Sequence, residues 1–323
     1  MYAELGKGGF ISRMQAALLF AALGVSGVAE SAEQIVSISG GRAPLYGTLE
    51  RPGLPSSGAA VLVVAGSGTS DRNGNSPPGF IANPLKQLAD ALAASGVSSL
   101  RFDKRGVGAS APASPPEVNL TLRTFVDDAV AWVSWLRSQD GVRCVVIAGH
   151  SEGALVALLA AQKTDVCGVV LLEGAGRPLA EELREGFQRQ PEPIRSRALS
   201  VLDELAAGRS VADPPPQLAA ILRPSRQPYL ISEMRIDPTV EIKKVRAPLL
   251  IVHGEADQQI TATDFERLKA ARPDASAVQV IGMDHLLKFN PSGGTPVGLA
   301  DLPLAPDLAK AMIQFVKGVH FSP

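Results

Sequence analysis

Four short runs in this 323-residue chain are almost wholly apolar: AAVLVVAG (59–66), CVVIAG (144–149), CGVVLLEG (167–174) and APLLIVHG (247–254). A strand with one wet face alternates apolar and polar residues. A run with no polar face belongs to a strand covered on both sides, as in a parallel sheet packed between helices. The intervening segments have helical spacing. PLKQLADALAASG (84–96) stops at a glycine, and TLRTFVDDAVAWVSWLRSQ (121–139) sets Leu122, Phe125, Ala129, Val133 and Leu136 on one face behind a Thr121 cap. VSSLRFD (97–103) and SAVQVIGM (276–283) read as further strands, and PDLAKAMIQFVKG (306–318) as a last helix with Leu308, Met312 and Phe315 at core spacing. Repeated strand–helix units predict an α/β fold with a mostly parallel, doubly wound sheet and helices on both faces.

Two stretches depart from this rhythm. Residues 35–52 alternate apolar and polar around Gly40-Gly41, which predicts an amino-terminal β-hairpin. Residues 176–246 hold no convincing strand; short amphipathic helices are separated by joints such as Asp213-Pro214-Pro215-Pro216. The economical organisation is a core of residues 35–175 and 247–320 with a helical cap, 176–246, inserted over the carboxyl ends of the strands. Nine arginines balance nine acids across 177–237, so the insertion gives no electrostatic clue to an ionic substrate.

Lys7 and Arg13 precede MQAALLFAALGVSGVA (14–29), an apolar stretch ending in small residues. This is the pattern of a cleaved export signal over 1–29, implying a periplasmic or secreted protein with no stable membrane span; an uncleaved anchor is the alternative. Lys+Arg 31 against Asp+Glu 32, with no basic stripe, argues against nucleic acid as a partner. Cys144 and Cys167 begin two strands expected to be neighbours. They are compatible with a disulfide or with two buried thiols.

The motif that carries chemistry is Gly149-His150-Ser151-Glu152-Gly153. With Gly 31 of 323 residues, G-x-S-x-G has little weight by itself, so context decides. Here it follows a buried strand and opens a helix, where a tight turn lifts a serine above the sheet edge and free helix N–H groups stand behind it. A serine hydroxyl needs a base, and the base needs an orienting group. Of four histidines, His150 lies inside the turn and is expected to point away from Ser151, His253 ends a strand, and His320 follows the last helix. His285, after the last strand, is the candidate base. Asp257, deep in the loop after 247–254, is the candidate acid, ahead of Glu255 and of Asp284.

Ser151, Asp257 and His285 have the chain order and strand-end placement of the α/β-hydrolase superfamily. AGSGTSDRNGN (65–75) and RFDKRGVGAS (101–110) resemble its bacterial esterase and serine-aminopeptidase-like branch, with a helical cap. The resemblance spans about residues 35–318. It implies an oxyanion hole made of the backbone N–H groups of Ser67 and Glu152, although Ala65-Gly66 stands where many members have His-Gly. It also implies structural roles for Asp71, Arg72, Asp103 and Arg105, tying loops together by ion pairing. The expected activity is that of a serine hydrolase, a carboxylesterase acting on a small acyl ester without metal or organic cofactor. The alternatives are a peptidase using the same triad on short peptides, a non-catalytic binding module, and a metal site of His253, Asp257 and His285. Oligomeric state is not legible.

Overall fold

The computed structural model describes residues 31–76, 80–292, 300 and 302–319. The export signal expected over 1–29, and His320, lie outside the described residues.

The chain opens with a hairpin, β1 (Ala32–Ser39) and β2 (Pro44–Arg51), turning through Gly40-Gly41. Then come β3 (Ala59–Val64), α1 (Pro84–Ala94), β4 (Ser98–Phe102), α2 (Leu122–Arg137), β5 (Cys144–His150), α3 (Glu152–Ala160) and β6 (Gly168–Leu172). Five helices follow without a strand: α4 (Leu179–Gln188), α5 (Ile194–Ala206), α6 (Ala219–Leu222), α7 (Gln227–Met234) and α8 (Pro238–Glu241). The core resumes with β7 (Leu249–Gly254), α9 (Ala262–Ala271), β8 (Ser276–Val280) and α10 (Pro306–Gly318).

The eight strands form one sheet in the order β1-β2-β4-β3-β5-β6-β7-β8, antiparallel at β1-β2-β4 and parallel from β4 onward. Alternate residues of β3 point to opposite layers. Leu62 and Val64 join α2 and α3 on one face, and Val61 and Val63 join α1 and α10 on the other. That two-sided burial is the physical content of the unbroken apolar runs.

Two details differ from the periodicity. Phe125 is only half-buried and meets the ring of Tyr229 on α7 edge-on, 5.6 Å between centroids, while Val126 and Trp132 fill the core face of α2. β8 ends at Val280, because Gly282 at φ +69° turns the next residues out of the sheet.

The strand order creates the crevice. From β3 the chain winds outward to β4 and then returns to β5 on the other side, so the loops after β3 and β5 diverge and leave a gap above the carboxyl edge. Val64 pairs with Gly149, which puts Ala65–Ser67 beside His150-Ser151.

At the opposite edge, Cys144 and Cys167 are joined in a disulfide with Cα atoms 5.8 Å apart, settling the alternative left open by the sequence. Crosslinking across a sequence separation of 23 restricts the unfolded chain. Chain-entropy arguments value a loop of that size at about 3 kcal/mol. Reductant should therefore lower the urea midpoint of the parent, and leave that of a Cys144→Ala/Cys167→Ala double variant unchanged.

Candidate active site

The turn after β5 is shaped by steric necessity. A Cβ on Gly149 would stand 1.9 Å from the Gly153 carbonyl oxygen, and one on Gly153 would stand 2.4 Å from the Val64 carbonyl oxygen. Neither position admits a side chain. Ser151, between them, is held at φ 55°, ψ −123°, a conformation costing a non-glycine residue on the order of 1–3 kcal/mol. Its own N–H donates to the Leu172 carbonyl (2.8 Å) and its carbonyl accepts from Ala154 N–H (2.9 Å), which locks the turn. Glu152, the first residue of α3, has an N–H with no acceptor inside its helix.

Ser67, Ser151 and Glu152 line one cavity of about 290 Å³, walled on the far side by the helices between β6 and β7, including Leu179, Glu182, Leu230 and Glu233. A larger opening of about 1170 Å³ lies at the other edge of the sheet, around Arg137, Cys167 and Arg246, and contains none of these groups. Volume alone would select the wrong end of the molecule.

Asp257 and His285 come together, with His285 Nδ1 2.7 Å from Asp257 Oδ2. The other Asp257 oxygen accepts the N–H groups of Gln259 (2.7 Å) and Ile260 (3.1 Å). Burial pushes this carboxyl up, but the His285 bond and charge, with the amide donors, hold it net below its ordinary value. Nδ1 is thus the donor to the carboxylate, which leaves Nε2 for another partner. The Ser151 hydroxyl makes no hydrogen bond among the described residues, and His285 lines a separate cleft with Phe80 and Leu286 rather than the wall of the Ser151 cavity.

The rival acids have other work. Glu255 is exposed. Asp284 staples its own loop, accepting from Leu286 N–H and Lys288 N–H at 3.0 Å each on one oxygen and from Asn290 Nδ2 at 2.9 Å on the other. Lys288 is fully buried against Gln87 Oε1 (2.6 Å) and the Leu302 carbonyl (2.9 Å), and burial pushes its ammonium down to about 8. This fastening fixes the loop that presents His285.

His150 points away from Ser151, but not into inert packing. Its Nε2 stands 2.7 Å from the His285 carbonyl oxygen, and the two rings lie 5.1 Å apart. Burial, with the neighbouring His285, pushes His150 down to about 3, so the ring is neutral. Facing a carbonyl, Nε2 must carry the proton.

Lys104 was also missed in the sequence. Buried, it donates Nζ to the Gly66 carbonyl and lies 3.8 Å from Glu152 Oε1, so one cation clasps the loop after β3 to the start of α3. Burial lowers its ammonium. Of the loop residues expected to form ion pairs, Arg72 pairs with Asp103 (2.6 Å) and Arg105 with Asp128 (2.6 Å). Asp71 instead accepts the N–H groups of Asn73 (2.8 Å) and Asn75 (2.9 Å), since among the described residues it has no ion-pair partner and the turn amides reach it.

The His150 bond yields a direct expectation. His150→Phe keeps a ring in place and leaves the His285 carbonyl without its donor, a loss of about 1–3 kcal/mol for a buried acceptor. Urea unfolding should show that loss, and a hydrolysis assay should show kcat falling with KM little changed.

Known proteins share this fold. The alpha/beta hydrolase family matches residues 61–292. Esterase EstD of Thermotoga maritima is 25% identical over 264 residues, 79% of this chain; the chain spans 62% of that relative's length. Among solved structures, proline iminopeptidase of Mycobacterium smegmatis superposes with TM-score 0.58 at 15% identity, covering 88% of this chain and 97% of that one. Pyrococcus furiosus esterase Pf2001 gives 0.54 at 16% (88% and 92%), and Est1E of Butyrivibrio proteoclasticus with ferulic acid gives 0.55 at 17% (87% and 96%). At these identities the structures share a fold. With 61–292 matched and the sheet in place, this chain belongs to the alpha/beta hydrolase family.

Proposed function

We propose that the protein is a serine hydrolase that cleaves carboxylic esters through an acyl-enzyme on Ser151. The observation that carries this reading is the strained Ser151 elbow facing a cavity, with a hydrogen-bonded Asp257–His285 pair on the adjoining loops. His285 Nε2 takes the Ser151 proton as the oxygen attacks the acyl carbonyl. The N–H groups of Ser67 and Glu152 receive the developing oxyanion, each donor being worth about 3 kcal/mol. The imidazolium, held by Asp257, then protonates the leaving alcohol, and water repeats the sequence to release the acid. The hydroxyl–imidazole hydrogen bond is one that forms as substrate fills the cavity, a common feature of unliganded sites.

The esterase relative supports ester over amide substrates. One observation favours a second reading, hydrolysis of short peptides bearing a free amine: the carboxyl groups of Glu182 and Glu233 line the cavity. Burial and the neighbouring Glu152 and Glu182 push Glu233 well up, and Arg177 and Arg226 line the same wall.

The chain's export, read from residues 1–29, gains support from the Cys144–Cys167 disulfide, since such bonds persist in oxidising compartments. Mass spectrometry of protein secreted from the full-length sequence should give an amino terminus at Glu30; retention of residues 1–29 would count against cleavage.

The function itself is tested by a substrate panel. p-Nitrophenyl acetate should be hydrolysed, and Ser151→Ala should reduce kcat by at least about 10³-fold. Parent-level activity in that variant would defeat the mechanism. Faster turnover of aminoacyl p-nitroanilides than of esters would favour the peptidase reading.

A further inference from the structure

A second carboxyl group stands behind Asp257. His150 of β5 pairs with Leu172 of β6, and Leu172 with Val252 of β7, so the next residue, Glu173, emerges between the strands that carry Ser151 and Asp257. Its backbone is at φ 49°, and it is wholly buried. One carboxyl oxygen accepts Gly254 N–H at 2.6 Å, and the other lies 3.0 Å from His253 Nδ1. A Cβ on Gly254 would come within 2.7 Å of the first oxygen, so the glycine makes the space that the carboxyl occupies. Asp257 belongs to the same tight turn, its N–H donating to the Gly254 carbonyl at 3.0 Å, and there the Glu173 and Asp257 carboxyl groups act on each other.

Two ionised carboxylates in contact and away from water repel strongly, so one of them keeps a proton. Asp257 has three donors, from His285, Gln259 and Ile260, and favours the anion. Glu173 has Gly254 N–H and His253, an imidazole that burial keeps neutral. Asp257 and Asp284, both acids, also act on Glu173. Burial and these two neighbours push its carboxyl well up.

We propose that Glu173 is a neutral carboxylic acid whose O–H donates to the Asp257 carboxylate, making it a positioning residue for the Asp257–His285 pair. This rests on the triad reading above. With the Glu173 proton directed at Asp257, His253 Nδ1–H is the donor to Glu173, and its Nε2 is bare. The arrangement does two things for His285. It fixes the orientation of the carboxylate that holds the imidazole, and it keeps the charge behind the ring at one negative instead of two. A second anion there would hold the imidazole protonated to higher pH, where it could not act as a base.

The test compares Glu173→Leu, which fills the space without a donor, with Glu173→Gln, whose amide N–H replaces the O–H at unchanged charge. On p-nitrophenyl acetate, Glu173→Leu should lower kcat about 10–100-fold with little change in KM, the range seen when a supporting partner of an active group is lost. Glu173→Gln should restore kcat to within about threefold of the parent, with the acidic limb of the kcat/KM profile moved by less than about 0.3 pH unit. If Glu173 were an anion, Glu173→Gln would remove a negative charge near His285 and move that limb to lower pH by about one unit or more. Such a shift, or full activity in Glu173→Leu, overturns the proposal. An infrared difference spectrum of parent against Glu173→Gln, with glutamate carboxyl carbons isotopically labelled, reads the proton without reference to activity or to the leucine variant's folding. Loss of the C=O band of a protonated acid is expected; loss of carboxylate bands alone overturns it. Asp257→Asn is run alongside and should lose at least about 10³-fold in kcat. Parent-level activity in that variant would sink the triad reading, while the infrared result would still report on Glu173.

Discussion

The close approach of β3 and β5 sets the terms for everything above the sheet. Val64 and Gly149 pair in register, and Gly153, one turn further, packs so tightly on the Val64 carbonyl that no Cβ fits between them. That contact decides where α3 begins, forces Ser151 into its left-handed conformation, and brings the loop after β3 alongside it. The strain at Ser151 is local and small beside the burial of β3 and β5 on both faces, so the fold tolerates it and the serine is presented by rigid elements.

Around that contact the site is assembled from loops that are each fastened by a different buried polar group. Lys104 joins the Gly66 carbonyl to the Glu152 carboxylate, His150 holds the His285 carbonyl, and Asp284 with Lys288 folds the segment between them. Their surroundings explain their chemistry. His150 is driven neutral by burial and so can donate to a carbonyl without placing a cation near the imidazole it steadies. Loops carry the functional groups, but each loop is referred back to a strand end.

The sheet was legible because burial on both faces leaves an unmistakable pattern: the runs at 59–66, 144–149, 167–174 and 247–254 all became strands. Ser151, His285 and Asp257 could be named as candidates because a chemical requirement, a nucleophile with a base and an orienting acid at strand ends, left few choices, and the structure pairs Asp257 with His285. Glu173, Lys104 and the bond made by His150 were not found, for a common reason. Each is defined by a partner on a strand or loop far away in sequence, and a single residue type carries no trace of that partner. A signal for Glu173 did exist: a lone acid closing the otherwise apolar CGVVLLEG run sits at the same sheet edge as the serine. Phe125 packs against the same core as its helical neighbours and also meets Tyr229 of α7, a second contact that helical periodicity cannot reveal.

The disulfide has a consequence that reaches the far end of the sheet. It ties the first residue of β5 to the residue before β6, and the same two strands lead directly into Ser151 and Glu173. Sliding one strand past its neighbour by a single residue would displace those ends by about 3.3 Å and exchange inward for outward side chains. A covalent tie at the origin of both strands forbids that error. The alignment of hydroxyl and buried acid is thereby secured from below, independently of how the loops above them move.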